Sequence, residues 1–179
     1  TKKGLLDVRR KVGIVFQNPD EQLFSASVYE EISFGILNMG ADEETAEKAV
    51  RQIIEELGLS AFQEEPTHAL SGGQKKQVAI ADILVMHPEV MILDEPAAAH
   101  DMKHTKKVNE MIERLTEKGI TVLIATHDIE YACGWADEIV LMHEGKVIRH
   151  AETMEICQDE EALKEAELEI PTVIRMYRK

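Results

Sequence analysis

The sequence predicts an α/β fold in which a parallel sheet is flanked by helices, and two observations support this prediction. Hydrophobic residues make up 44% of the chain but aromatic residues only 4%, so the core must be aliphatic, as is typical of buried parallel strands. Two apolar runs, residues 90–93 and 120–125, are separated by an amphipathic segment with helical spacing. This alternation indicates a strand–helix–strand unit in which both strands are buried.

The charge of the chain limits its partners. The 179 residues include 20 Lys and Arg against 34 Asp and Glu, which gives a net charge of −14. Because such a surface repels phosphodiester backbones and anionic headgroups, we expect no direct binding to nucleic acid or lipid. The longest apolar runs are about a third of the length that a membrane span needs, so work at a membrane would require another protein as anchor.

The two cysteines predict a reducing compartment. Cys133 and Cys157 form no C-x-x-C pair, and no secretory signal is visible. We therefore expect no disulfide.

Short segments define the first half of the chain. A β-branched run at residues 12–16 predicts a strand that enters a loop at residues 17–20. Residues 28–59 have helical spacing and are divided by Gly40 and Gly58, which indicates a small helical insert.

The second half combines helices with a hairpin. A helix capped by Ser71 is predicted to stop before Pro88, and a charged helix at residues 103–118 is closed by Gly119. An acidic helical tail is predicted from residue 152, after a β-hairpin whose strands, 138–143 and 146–150, flank Glu144 and Gly145.

Polar residues follow both apolar strands at their carboxyl ends, where α/β folds place ligands. Asp94 and Glu95 follow the first strand, and His127 follows the second. Two acids at such a position suit nucleotide hydrolysis, since one can hold Mg²⁺ and the other can orient the attacking water. An ordinary solvated strand end would give the same pattern.

The segment Ser71-Gly72-Gly73-Gln74 is a more specific signal. A serine and two glycines at a helix start expose backbone N–H groups to an anion, and the helix dipole favours negative charge. A plain capped helix is the alternative, but the separation of 20 residues between Gln74 and Asp94 favours a phosphate-binding role.

Together these motifs resemble the ATP-binding subunit of ABC transporters. The similarity covers nearly the whole chain and rests on LSGGQ at 70–74, VMILDEP at 90–96, Asp101 and Thr126-His127-Asp128. The loop at residues 17–24 is similar to that of energy-coupling-factor importers for cobalt, nickel and vitamins. The resemblance implies an ABC-type P-loop ATPase core with a small α-helical subdomain.

The resemblance also implies a division of the chain into four parts: a strand and Q-loop at 1–24, a helical subdomain with the signature at 25–87, an α/β core at 88–150 and an acidic tail at 151–179. It implies ATP and Mg²⁺ as cofactors.

The resemblance assigns the catalytic roles to residues at the strand ends. Asp94 would bind Mg²⁺ and Glu95 would be the catalytic carboxylate. Gln17 would contact Mg²⁺ or the attacking water and sense the membrane partner. His127 would reach the γ-phosphate.

The remaining roles lie at the interface of a head-to-tail dimer. Ser71, Gly72, Gly73 and Gln74 would form the signature that clamps the γ-phosphate bound to the opposite subunit. Asp101 would be the D-loop acid at the dimer interface.

The chain departs from the family pattern at several positions. It contains no glycine-rich loop ending in Gly-Lys-Ser/Thr, and its one Gly-Lys pair, at Gly145, is followed by Val147. Since the chain starts at Thr1 without Met, we expect a chain cut before its P-loop, with a gene fragment or a decayed copy as the alternative. The loop at residues 97–102 has the sequence AAAHDM, where the family usually shows a pattern like Thr-Ala-Gly-Leu-Asp-Pro. Asp82 stands where a small residue is typical of the family.

His100 and His104 could bind a transition metal at their i, i+4 spacing, although an exposed helix start is the favoured interpretation.

The resemblance predicts an ATPase that energises uptake of a metal ion or vitamin from the cytoplasmic face of the membrane. Its partners would be a second ATPase subunit and a transmembrane coupling protein, while the chain alone would be inactive. The alternatives are a soluble ABC ATPase outside transport, or a non-catalytic half that supplies only the signature face.

Overall fold

The computed structural model describes residues 2–96 and 102–177. The chain divides into two compact units, Thr1–Ala125 and Thr126–Lys179. Among the helices in the described ranges, none combines the length and the apolar character needed to cross a membrane.

The first unit is built on a three-stranded sheet, and its strands are β1 (Val12–Val15), β2 (Val90–Asp94) and β3 (Thr121–Ala125). Both neighbouring pairs are parallel and β2 lies in the middle, which confirms the predicted strands and their direction. The register pairs Val15 with Leu93, and Leu93 with Ile124. The carboxyl ends of all three strands therefore lie at one edge of the sheet.

The two faces of this sheet differ in burial. Val15, Met91 and Leu93 are at most 1% exposed and form part of the core. Ile14 and Leu123 point to the other face and are 46% and 55% exposed. The prediction that both strands are buried is therefore wrong for the side chains on this second face, because side chains alternate along a strand and the core lies on one side.

Within the described ranges, the α-helices of the first unit are α1 (Lys2–Lys11), α2 (Val28–Asn38), α3 (Glu43–Glu56), α4 (Gly72–Leu84) and α5 (Met102–Glu117). The helical insert is confirmed as α2 and α3. Their N-caps are Ser27 and Asp42, whose side chains accept from the amides of Glu30 and Thr45. The helix α1 was not predicted.

Helix α4 occupies the centre of the first unit. Its residues Val78 to Ala81 are fully buried, and Leu84 is 3% exposed. An added Cβ at Gly13 of β1 would lie 2.0 Å from Cγ2 of Ile83, so glycine is required there by the close approach of strand and helix. This packing fixes the start of α4 near the carboxyl ends of the strands.

The second unit contains a hairpin and four short helices. Helix α6 (Ile129–Trp135) precedes strands β4 (Glu138–His143) and β5 (Lys146–Glu152), which are antiparallel. The predicted turn is confirmed: Glu144 and Gly145 have φ of 47° and 74°, the left-handed conformations that a tight hairpin turn requires. The helices that follow are α7 (Thr153–Gln158), α8 (Glu160–Glu165) and α9 (Thr172–Tyr177).

A disulfide joins Cys133 of α6 to Cys157 of α7. The prediction that the cysteines remain unpaired is therefore wrong. The two residues are 24 apart in sequence, and the hairpin between them returns the chain so that the two helices meet in the core of this unit. This proximity depends on tertiary structure and has no signature in the spacing of the cysteines.

Candidate functional site

The candidate site lies at the carboxyl edge of the sheet, where Asp94 ends the central strand. The Asp94 side chain is exposed, and Glu95 is partly buried. The Glu95 amide donates to the carbonyl of Ala125 at 2.9 Å. Its φ of 42° lies in the left-handed region that non-glycine residues rarely adopt. Both acids therefore remain accessible, one of them on a strained backbone.

Gln17 lies at the same edge, directly after β1. Its side chain is exposed, and its carbonyl accepts a hydrogen bond from Nζ of Lys76 at 3.1 Å. A short turn follows, Pro19–Glu21, which Asn18 caps by accepting from the amide of Asp20 at 3.2 Å.

The predicted cap of α4 is confirmed as a reciprocal capping box. The Ser71 hydroxyl accepts from the Gln74 amide at 3.4 Å, and Oε1 of Gln74 accepts from the Ser71 amide at 2.9 Å. Ser71 and Gly72 are exposed and Gly73 is buried. A Cβ at Gly72 would have no atom within 4 Å, so this helix start is open to a ligand.

Lys76 connects the start of α4 to two strand ends. Its side chain is fully buried, and Nζ donates to the carbonyls of Phe16 at 2.8 Å, Gln17 at 3.1 Å and Asp94 at 3.4 Å. Burial lowers the pKa of Lys76 to about 8, and the negative charges of Asp94 and Glu95 partly oppose this shift.

The loop after Gln17 is also attached to α4 on either side of Lys76. Lys75 forms an ion pair with Asp20 at 2.5 Å. Gln22 donates to the carbonyl of Ala79 at 3.1 Å and to Oδ2 of Asp82 at 3.3 Å. The signature helix and this loop therefore share contacts along about two helical turns.

Asp82, the unusual acid of the signature helix, lies in a confined position. Burial raises the pKa of Asp82 to about 7; the Gln22 hydrogen bond opposes the shift and the charge of Glu31 adds to it. Glu31 is 1% exposed and accepts from the amides of Phe24 and Ser25 at 2.8 and 2.6 Å. Asp82 therefore attaches the segment between β1 and α2 to α4, and Glu31 attaches the same segment to α2.

A cavity of about 560 Å³ lies beside the signature, between α3, α4 and α5. Polar and charged side chains contribute much of its lining, among them Ser71, Gln74, Gln77, Lys107, Glu110 and Arg114.

His127 belongs to the second unit and follows β3 in sequence. The next residue, Asp128, caps α6 by accepting from the Tyr131 amide at 3.0 Å. Asp101 and His100 lie outside the described residues, as does the side chain of His104. The described part of the chain contains no cluster of three or more His, Cys, Asp or Glu that could hold a metal ion.

Of the residues singled out from the sequence, the structure brings Gln17, Asp94 and Glu95 together at one sheet edge. The sequence patterns did not predict the contacts of Lys76 and Gln22, which connect this edge to α4. A signal for Lys76 exists, because it falls in register with Ile80 and Leu84 on the buried stripe of the helix. Gln22 has no comparable signal.

The parallel sheet, its helices and the capped signature segment define an α/β domain of the ATP-binding-cassette type. The chain belongs to the ABC transporter family, whose model matches residues 1–98.

Relatives and solved structures agree with this assignment. The chain is 42% identical to the energy-coupling factor transporter ATP-binding protein EcfA of Methanocaldococcus jannaschii, over 98% of this chain and 63% of the relative. It is 43% identical to EcfA of Methanosphaera stadtmanae, over 99% of this chain and 64% of that protein. The chain thus spans less than two thirds of the length of these relatives.

A solved structure of cbiO1 from Clostridium perfringens, part of the ABC transporter complex cbiONQ, matches with a TM-score of 0.80 and 40% identity, over 100% of this chain and 72% of that one. A dimeric ATP-binding cassette bound to ADP and Pi in a post-hydrolysis state matches with a TM-score of 0.72 and 27% identity, over 85% of this chain and 67% of that one.

Proposed function

We propose that this chain is the ATP-hydrolysing part of an importer of the energy-coupling-factor type, with a metal ion such as cobalt or nickel, or a vitamin, as cargo. The observation that carries the proposal is the accessible Asp94–Glu95 pair at the sheet edge, held beside Gln17 by a buried lysine of the signature helix.

The two acids divide the chemistry between them. Asp94 offers exposed carboxylate oxygens, which suit Mg²⁺, an ion commonly held by one or two carboxylates together with substrate phosphates. When bound, Mg²⁺ neutralises charge on the phosphates. Glu95 accepts a proton from the attacking water or orients that water, and Gln17 contacts the same water or the metal.

The signature acts on the nucleotide of a second subunit. The N–H groups of Gly72 and Gly73 at the helix start, together with the Ser71 hydroxyl and Gln74, bind the γ-phosphate that the opposite P-loop holds. His127 contacts the γ-phosphate within its own subunit, and Asp101 contributes to the dimer interface. The catalytic effect is positioning and charge neutralisation, so it requires all these groups at once.

The partners follow from this arrangement. A second ATPase subunit completes each site, and a transmembrane coupling protein receives the motion of the helical insert on the cytoplasmic face of the membrane. The net charge of −14 argues against direct contact with nucleic acid or anionic lipid.

The proposal is tested in a chimaera that places the P-loop segment of the Methanocaldococcus EcfA relative ahead of this chain. We expect Mg²⁺-dependent ATP hydrolysis, measured as phosphate release. Glu95→Gln should lower turnover by about 100-fold or more, the range for loss of a general base, while ATP stays bound in a closed dimer.

Glu89→Gln is the matched control, because Glu89 is an exposed glutamate before the opposite end of β2, paired with Lys11. Turnover of this variant should equal that of the chimaera. Unchanged hydrolysis in Glu95→Gln would remove Glu95 from the catalytic role, and a chimaera that folds without any hydrolysis would contradict the proposal.

A second candidate function is that of a non-catalytic partner domain, which supplies only the signature face to another ATPase subunit. It is supported by the exposed and capped start of α4 at Ser71 and Gly72. The 179-residue chain would then bind ATP weakly by itself and would restore hydrolysis to an ABC ATPase that has an intact P-loop and a disabled signature. Ser71→Arg should abolish that restoration.

A further inference from the structure

Lys76 is unusual among the charged residues of the chain. Its side chain is fully buried, whereas Lys75 beside it keeps 14% of its side chain exposed and pairs with Asp20. In the described structure, no carboxylate lies within ion-pair distance of Lys76, and its partners are three backbone carbonyls. The ammonium group has three N–H donors, one for each carbonyl.

A buried ammonium ion is costly unless its surroundings compensate it. A methionine of similar volume would fill the same space in a helix lined by Ile80 and Leu84 without that cost. Packing alone therefore does not account for a lysine at this position. What the lysine adds is a set of hydrogen bonds that reach two different strands.

These strands carry the residues of the candidate site. The carbonyls of Phe16 and Gln17 belong to the end of β1 and the start of its loop, and the Asp94 carbonyl ends β2. Lys75 and Gln22 attach only the loop to α4. Among the described contacts of this loop with α4, Lys76 alone also reaches β2.

We propose that Lys76 is a positioning residue that fixes Gln17 and Asp94 relative to each other and to the signature helix. Displacement of α4 at its Ser71 end would then move the Gln17 backbone and the end of β2 together. The structural part of this inference stands on the hydrogen bonds alone, and its consequence for hydrolysis rests on the function proposed for Gln17 and Asp94.

The test uses amide hydrogen exchange in the 179-residue chain, without nucleotide. The Phe16 amide donates to Oε1 of Gln22, and the Glu95 amide donates to the Ala125 carbonyl, so these two amides report on the two strand ends. In Lys76→Met both should exchange about tenfold faster, the factor expected for loss of about one net hydrogen bond. The central amides of α4 should keep their protection.

Lys75→Met is the matched control, since it removes the ion pair with Asp20 and should leave the Glu95 amide unchanged. Lys76→Arg keeps the charge and the donors, and should restore slow exchange at Glu95, which a purely packing role would not do. If Lys76→Met does not fold, exchange at the Glu95 amide in Lys76→Arg still tests the proposal. Unchanged exchange at Phe16 and Glu95 in Lys76→Met, or an equal increase along all of α4, would overturn the proposal.

A failure of the proposed function can be distinguished from a failure of this inference. Exchange is measured in the 179-residue chain without nucleotide, so an absence of ATP hydrolysis in the chimaera would not change the exchange rates.

Discussion

Asp82 is the residue whose ionisation should most affect the stability of the first unit. Burial raises the pKa of Asp82 to about 7 from the ordinary value of 3.8. Between these pH values the folded state binds more protons than the unfolded state. The contribution of Asp82 to stability is therefore complete below pH 3.8 and is lost as the pH rises through 7.

Asp82→Asn should remove this loss, because the amide stays neutral and its oxygen can still accept from Gln22. We expect the variant to be more stable than the parent by about 4 kcal/mol at pH 8 and nearly equal to it at pH 4. Urea unfolding at both pH values measures the difference. Glu113→Gln, at an exposed site on α5, should show no such pH dependence, and a constant gain at both pH values would contradict the argument.

At the scale of single elements, β1 and α4 approach each other closely at Gly13. A Cβ at Gly13 would lie 2.0 Å from Cγ2 of Ile83, and the β-branched isoleucine has little rotamer freedom on a helix. Gly13→Ala should therefore lower the free energy of unfolding by about 2 kcal/mol, as overpacking typically does.

Chemical denaturation of Gly13→Ala, Ile83→Ala and the double variant measures this clash. Because Ile83→Ala removes the Cγ2 atom, the double variant should be more stable than the sum of the single effects implies. Additive effects would show that the strand relieves the contact by moving. Gly72→Ala, where the added Cβ meets no atom within 4 Å, serves as the control for a change from glycine to alanine.

Most elements could be predicted from the sequence because their signals are local. Apolar runs define β1, β2 and β3, and glycines at 40, 58 and 119 with positive φ end the helices before them. Helix α1 offers fewer signals: no acidic residue lies in its first turn, and no glycine separates its end at Lys11 from the start of β1 at Val12. The exposure of one sheet face was not predicted, because a short apolar run in the sequence does not show whether one or both faces of the strand are covered.

The candidate site was predictable where a motif is contiguous. Two short motifs are visible in the sequence, at Ser71 to Gln74 and at Asp94–Glu95. The first lies at the start of α4 and the second at the end of β2. The contacts that join them are not visible, because Lys76, Gln22 and Asp82 act across 18 to 60 residues of sequence. The roles of the motif residues stay predictions that the proposed experiments test.

At the scale of the whole molecule, the chain consists of two units, and the second has a small core. Among the residues that the structure describes, its buried cluster holds eight, including Ile156, Cys157 and Leu163. A small core supplies limited stability, so a covalent crosslink has a large effect there.

Reduction of the disulfide, or Cys133→Ser, should destabilise the second unit by roughly 3 kcal/mol, the chain-entropy value for a loop of this length. Hydrogen exchange with and without a dithiol reductant should show faster exchange in α6 and α7, with the β2–β3 ladder unchanged. A thiol count confirms the redox state. Equal exchange in both states would show that packing around Ile156 alone holds these helices.

The backbone of Glu95 sets stability against activity. With φ at 42°, a glycine would occupy the same place at lower conformational energy. If Glu95 has the catalytic role proposed for it, Glu95→Gly would raise stability while it removes hydrolysis, so the two properties oppose each other at this one position.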